Sequence, residues 1–540
     1  MRSLFFLLII LVFGCGSPSI EDDRSVFNYN ESNGISSLDP AAARNLENMW
    51  AVNQIFDGLV RLDEKLNVVP SVAQRWEILD SGRTYRFFLR EDVVFHPSPL
   101  FSDTSGRQVV ANDFVYSFER ILDPKTASPG KWIFDKVDKD HPQGAFHAIN
   151  DSVLDIHLKN PFPVFLGLLS TQYANVLPKE VVEYFGSDFR ANPVGCGPFK
   201  LGFWMEDVAL VLHKNDHYFR MGEAGVQLPY LDAVKISFVK DMTAEYLGLL
   251  QGKFDFMSGL HPAYKDEVLT PDGELRESLQ DKIRLQKIPF VKTDYIGILV
   301  DDSIMQGHAL SDRRVRQALN YAVDRESMVR YLRNNAVFEA GHGFIPRGLP
   351  SHDTTANYGY DFDLAKARTL LAEAGFPGGE GLPELELSTT SDYVDLCEFL
   401  QFQWQEIGVK CNIDVLASSS HREKVASSGA MLFRKSWLAD YPDAENFLGL
   451  FYSKNFTPGG PNYTHYYSAQ FDSLFESSIR EVDDLKRRES YIAMDSLVMA
   501  DAPVIPLFYD QVSHFVRNEV QGLNTDPVNM LDLSTVRKTR

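Results

Sequence analysis

The sequence predicts an α/β protein with more than one core, and three observations carry that expectation. The chain has 540 residues, which at about 150 residues per domain exceeds a single core. Its first half holds short runs of alternating apolar and polar residues, at 84–90, 152–158, 207–213 and 233–239, the pattern of half-buried strands. Its second half alternates helical and strand patterns, at 311–333, 384–390 and 392–415, which marks α/β architecture.

Taken in order, the chain begins MRSLFFLLIILVFGCGSPSI. Arg2 precedes an unbroken apolar run, 4–13. That run is shorter than the ~20 residues a membrane helix needs and suits the core of a signal peptide. Its end, Val12-Phe13-Gly14-Cys15, resembles the lipobox of bacterial lipoproteins. That resemblance implies that 1–14 is removed, that Cys15 carries lipid, and that 15–25 is a tether holding the rest outside the cytoplasm. No second apolar run is long enough to span a bilayer. The remaining cysteines, Cys196, Cys397 and Cys411, are odd in number and lack a CxxC or Cys/His metal spacing. A helix from 396 to 406 followed by a strand from 409 to 415 would set Cys397 ~15 Å from Cys411. A disulfide needs Cα atoms within ~7 Å, so all three read as small buried hydrophobes.

Gly195 and Gly197 mark a tight bend where a β-carbon would clash. Long loops are expected at 97–110 and 124–147. Further along, Ser311 is the expected cap of a helix whose inner face is Val315, Ala318, Leu319, Ala322 and Val323. Asp363 caps a second helix, 364–374, which Gly375 stops.

Composition limits the function classes. Fifty-three basic residues face 74 acidic ones, for a net charge of −21. That excludes nucleic acid as a natural partner, because phosphate binding needs a basic face. The same charge disfavours adsorption to anionic lipid. A hydrophobic content of 44% is that of a folded chain. No GxSxG, HExxH, P-loop or dinucleotide fingerprint occurs, and acid pairs such as Asp301-Asp302 and Asp483-Asp484 face opposite sides of a strand. No enzyme is therefore expected. The histidines form no HxH pair, so neither a metal nor a cofactor is expected.

Four stretches decide the family. They are Ser36-Ser37-Leu38-Asp39-Pro40 with Ile55-Phe56-Asp57-Gly58-Leu59-Val60, and Ala73-Gln74-Arg75-Trp76-Glu77 with Gly82 and Val94-Phe95-His96. The third is Asn192-Pro193-Val194-Gly195-Cys196-Gly197-Pro198-Phe199, and the fourth is 313–325, RRVRQALNYAVDR. In this order and spacing they resemble the family 5 extracellular solute-binding proteins, the oligopeptide- and dipeptide-binding components of ABC importers. Cys196 stands where that family usually has Thr, and the 97–108 loop is longer than usual.

The resemblance implies a periplasmic-binding-protein-like two-lobed fold (class II, cluster C) with an extra inserted domain. Lobe 1 would comprise 26–56, 192–287 and 503–540. The inserted domain would be 57–191 and lobe 2 would be 288–502, with hinge segments near 288–292 and 503–507. Pro289, Pro503 and Pro506 punctuate the apolar runs that would cross between lobes.

The ligand site is expected in Phe433-Arg434-Lys435-Ser436-Trp437-Leu438-Ala439-Asp440-Tyr441-Pro442-Asp443, a strand that ends in an acid and a Pro turn. A free peptide brings a cationic amine, a carboxylate and a row of backbone donors and acceptors. Asp440 can accept the ammonium in a charge-assisted hydrogen bond. Ser436, Trp437, Leu438 and Ala439 can offer a strand edge for β-augmentation, and Arg434 can take a carboxylate in its planar fork. The resemblance assigns Asp440 to the peptide amine and Arg434 to the peptide carboxylate. Glu31 is a further candidate, facing the cleft from the other lobe.

The expectation is thus an extracytoplasmic, membrane-anchored and monomeric lipoprotein. It would capture short peptides by hinge closure and deliver them to the transmembrane subunits of an ABC permease. Two other readings stay open: the same fold binding a metal chelate, haem, opine or sugar, or a peptide receptor used for signalling.

Overall fold

A computed structural model describes residues 25–261, 264–301, 303–355 and 357–539. The expected signal peptide, 1–14, Cys15 and all but the last residue of the expected tether, 15–25, lie outside the described residues.

Two long strands organise the molecule. Ile283–Ile298 and Val504–Arg517 pair antiparallel along nearly their whole lengths. They form the middle of an 11-stranded sheet. On one side the sheet continues through Leu432–Leu438, Leu385–Thr390 and Cys411–Leu416. On the other it continues through Phe256–Ser258, Val26–Asn30, Ala233–Ser237, Ala209–Lys214 and Phe199–Met205, while Phe338–Glu339 adds to Val504–Arg517. The two halves of this sheet carry separate cores. One gathers Phe27, Trp50 and Phe256 with the inserted segment. The other packs Leu319, Leu387, Leu400 and Trp404 against the sheet.

The long pair slips register between Pro289 and Thr293, which oppose Gln511 and Tyr509. Pro289 has no N–H to donate, so the ladder breaks where the chain passes from one half to the other. A four-stranded sheet, ordered Ala73–Leu79, Thr84–Leu89, Val153–His157, Phe146–Asn150, forms a satellite of the first half. The helix Ala111–Leu122 covers it, with Phe118 in ring contact with both Phe134 and Phe146. The hairpin of Val60–Leu62 and Val68–Pro70 belongs to both halves. Val60 is buried in the first core, while Leu62 and Leu66 pack with Val291, Phe433 and Phe447 of the second.

The elements depart from the sequence expectations mainly at their ends. The helix expected after Ser311 is Arg313–Tyr321, and its cap is Asp312, which accepts from the Arg314 N–H at 2.8 Å. Ser311 instead closes a 3₁₀ turn, Ala309–Ser311. Asp363 does cap its helix, Leu364–Glu373, and Gly375 follows at φ +94°. The expected 396–406 helix is Val394–Gln405, and the strand after it is Cys411–Leu416. Cys196, Cys397 and Cys411 are free and buried. Cys397 and Cys411 share one core, and burial first, then the charge of Cys397, raises the Cys411 thiol to about 12. Gly195 and Gly197 behave as expected, since a Cβ on either would fall within 2.1 or 2.5 Å of Ile55 backbone atoms. Among the described residues no helix is long and apolar enough to cross a membrane.

Candidate ligand-binding cleft

A cavity of about 410 Å³ lies between the two halves. Met49, Asn53 and Arg61 line it from the first half, Trp132 and Tyr173 from the satellite, and Leu438 to Pro442 from the second. The C-terminal segment supplies Asp526 and Asp532. It is held there by Trp50 Nε1 donating to the Asn529 carbonyl at 2.7 Å and by Val291 N–H donating to the Pro527 carbonyl at 3.0 Å.

The strand Leu432–Leu438 delivers the central acid. Its antiparallel partner is Ile283–Ile298, with Thr293 opposite Trp437 and Lys292 opposite Leu438. The Ala439 N–H donates to the Val291 carbonyl at 3.0 Å, and in an antiparallel ladder alternate residues share such bonds. The odd-numbered residues therefore bond inward. Arg434, Ser436 and Leu438 direct their backbone groups to the other edge. There the parallel strand Leu385–Thr390 pairs only with Leu432 and Phe433. His421 Nε2 contacts the Arg434 carbonyl at 2.9 Å. Ser436 and Leu438 are left with a free edge that runs to the cavity wall.

Beyond that edge the chain turns at Asp440. Asn446, buried on the short helix Glu445–Leu448, fixes the turn. Its Oδ1 accepts from Trp437 Nε1 at 2.8 Å and from the Asp440 N–H at 3.2 Å. The Asp440 side chain opens to solvent in the cavity and has no cationic partner among the described residues. The cavity walls crowd its hydration, which raises its carboxyl pKa against the lowering effect of the Asn446 amide. Across the cavity the rings of Trp132 and Tyr441 lie 5.9 Å apart and connect the halves.

The other sequence candidates fall elsewhere. Arg434 is buried in the wall and does not line the cavity. It pairs with Asp294 on the neighbouring strand, and its guanidinium lies over the Tyr393 ring. Lys292 joins the same network, 3.4 Å from Asp294 and 2.7 Å from Asp510. Burial lowers the Arg434 pKa to about 9, with Asp510 opposing. Ser436 and Trp437 are half-buried behind the lining, while Leu438 and Ala439 form part of it.

Glu31 faces a different cavity, of about 490 Å³, within the first half. Burial first, then the charges of Glu47 and Glu245, raise its pKa to about 7. Leu46 is common to the walls of both cavities, but Glu31 and Asp440 are not brought together. Asn446, Trp132 and Arg61 were not found from the sequence. The first follows a turn signal that has no ligand chemistry of its own, and the other two come from segments hundreds of residues away.

Two halves joined by continuous strands around a cavity that carries several charged side chains define a cleft-type solute-binding protein. The chain belongs to the bacterial extracellular solute-binding proteins, family 5, whose middle-region model matches residues 67–458. It is 26% identical over 477 residues to the dipeptide-binding protein of Escherichia coli strain K12, covering 85% of this chain and 84% of that one. It is 28% identical over 475 residues to the heme-binding protein A of Haemophilus influenzae, covering 84% and 81%. The fold matches a periplasmic murein tripeptide binding protein in its unliganded open form, with a TM-score of 0.82 at 23% identity over 96% of this chain and 98% of the other.

Proposed function

We propose that this chain is the extracytoplasmic substrate-binding lipoprotein of an ABC importer, and that it captures short peptides in the cleft and presents them to the permease. The observation that carries this reading is Asp440. It is an acid held by Asn446 at the end of a free strand edge, open to the interlobe cavity and without a cation of its own. A peptide supplies what that arrangement lacks, an ammonium for the carboxylate and backbone groups for the Ser436–Leu438 edge. The dipeptide-binding relative supports peptides first, and the heme-binding relative keeps a second ligand class in view. A neutral sugar would give Asp440 no partner. The family is one of binding proteins, and the cleft's role here is capture without turnover.

On this reading lobe 1 is 26–56, 192–287 and 503–540, with 57–191 inserted, and lobe 2 is 288–502. The hinge falls at the register slip between Pro289 and Thr293, where closure brings both halves onto the ligand. Cys15 carries the lipid, and the protein acts as a monomer.

Calorimetry tests the amine assignment. Asp440→Ala should weaken binding of captured peptides more than ~100-fold, because truncating one partner of a desolvated charge pair costs ~3–5 kcal/mol. Unchanged affinity would refute it.

A further inference from the structure

The cleft lacks an obvious receptor for the acidic end of a peptide, because Arg434 is committed to Asp294 outside the lining. Three other arginines line the cavity: Arg44, Arg61 and Arg220. Arg220 is engaged, with Nη1 3.5 Å from Asp532 and 3.4 Å from the Tyr218 hydroxyl. Arg44 is exposed at the cavity wall.

Arg61 differs from both. It sits mid-strand in Val60–Leu62, half-buried between the first core, which takes Val60, and the second, against which Leu62 packs. Its Nη1 donates to the Leu62 carbonyl at 3.3 Å. Its Nε is buried without a hydrogen-bond partner, and no carboxylate among the described residues forms an ion pair with it. Nε is covered by protein, so the guanidinium can meet a ligand only through its terminal nitrogens, of which Nη2 carries no hydrogen bond among the described residues. Such terminal N–H groups donate to a carboxylate in charge-assisted hydrogen bonds.

The nearby acids make no hydrogen bond or ion pair with it, although the charges of Asp532 and Asp57 favour its charged form. Asp57 accepts through Oδ1 from the Ser71 hydroxyl at 3.1 Å. Asp532 belongs to Arg220. Asp526 accepts the Met530 N–H at 2.9 Å.

We propose that Arg61 receives a carboxylate of the bound peptide through Nη2, so that the ligand runs from Asp440 to Arg61 across one cavity. This rests on the peptide reading above. It places the carboxylate on the strand Val60–Leu62, which contacts both halves, so that a ligand bound there would be sensed by each. The carboxylate can be the chain terminus or an acidic side chain.

The test is native mass spectrometry with a degenerate tripeptide library, offered as free acids, as C-terminal amides and as N-acetylated acids, to the wild type, Arg61→Gln and Arg44→Gln. Wild type should favour free acids over amides by at least ~30-fold. Arg61→Gln should capture both equally weakly, while Arg44→Gln keeps the preference. Amides captured only when they contain Asp or Glu would support the assignment with a side chain as the source. Discrimination against N-acetylation should survive in all three proteins, because it reports Asp440 and not Arg61.

An undiminished acid-over-amide preference in Arg61→Gln overturns the proposal. Indifference to N-acetylation with that preference lost in Arg61→Gln would refute the Asp440 reading and leave Arg61 standing. No capture of free acids by the wild type would end both. Thermal melts separate a ligand receptor from a structural arginine: without an ion pair to lose, Arg61→Gln should melt at or above the wild-type temperature.

Discussion

At the scale of residues, the cleft is distinguished by which charges are satisfied and which are not. Arg434 and Asp294 pair inside the wall, each keeping one buried atom, Nε and Oδ2, without a hydrogen bond, whereas Asp440 and Arg61 line the cavity and have no ion-pair partner among the described residues. Asn446 connects strand and turn through one oxygen that accepts from both Trp437 and Asp440. Replacing it with Leu removes the acceptor from a partly buried indole N–H, at a cost of about 1–3 kcal/mol. Asn446→Leu should therefore lower the melting temperature and also weaken peptide capture about tenfold by releasing the turn, and calorimetry of the variant at a temperature where it stays folded would separate the two effects.

The same turn sets a pH dependence. Crowding raises the Asp440 pKa, and only the ionised form holds an ammonium. Affinity for peptides with a free amine should fall as pH drops through a value above the ordinary ~3.9. Affinity that stayed flat down to that ordinary value would contradict this.

At the scale of elements, the bend at Gly195 shows how closely the segments fit. His96 N–H donates to the Gly195 carbonyl at 2.7 Å, and Gly197 N–H donates to the Ile55 carbonyl at 2.8 Å. A Cβ on Gly195 would sit 2.1 Å from that same Ile55 oxygen. Gly195→Ala should destabilise by ~1–3 kcal/mol or more, as overpacking does, and denaturant unfolding measures it.

This bend, the Asp363 cap and the strand ending at Asp440 were legible in the sequence because each is a local pattern of a few residues. The Arg434–Asp294 pair was not, since its members are 140 positions apart, and a strand arginine reads the same whether it faces a cleft or a neighbouring acid. Glu31 was misjudged for a related reason. An acid after a strand signals exposure or a site, but not which of two adjoining cavities it enters. Arg61 carried no signal, because a lone arginine in a short strand reads as surface until the fold places a second core beside it.

At the scale of the whole molecule, burial makes interior acids and bases alike reluctant to ionise. Burial raises Glu31, Glu445, Asp495 and Asp526 to about 7 and Asp57 to about 6. Each of these acids is easier to protonate folded than unfolded. The native state is therefore penalised at neutral pH and relieved as pH falls through those values. His96 and His514, lowered by burial to about 4, act oppositely below the ordinary ~6.5. With four acids at about 7 and Asp57 at about 6, inside this interval, the ligand-free protein should melt higher near pH 5.5 than at pH 8. It should weaken again toward pH 3, where Asp301, held at about 2 by Ser303 and His465, begins to lose its charge. A melting temperature that only falls from pH 8 downward would contradict this balance.

The two-lobed frame gives these residues a common purpose, since the long strands Ile283–Ile298 and Val504–Arg517 carry both walls of the cleft. The most direct test of peptide capture is native mass spectrometry of the mature protein, residues 15–540 with Cys15 unlipidated, mixed with defined short peptides, haem and glutathione in competition. The account predicts adducts at peptide masses that vanish when the peptides are N-acetylated or when Asp440 is replaced by Ala. An adduct of haem or glutathione alone, indifferent to Asp440, would contradict it.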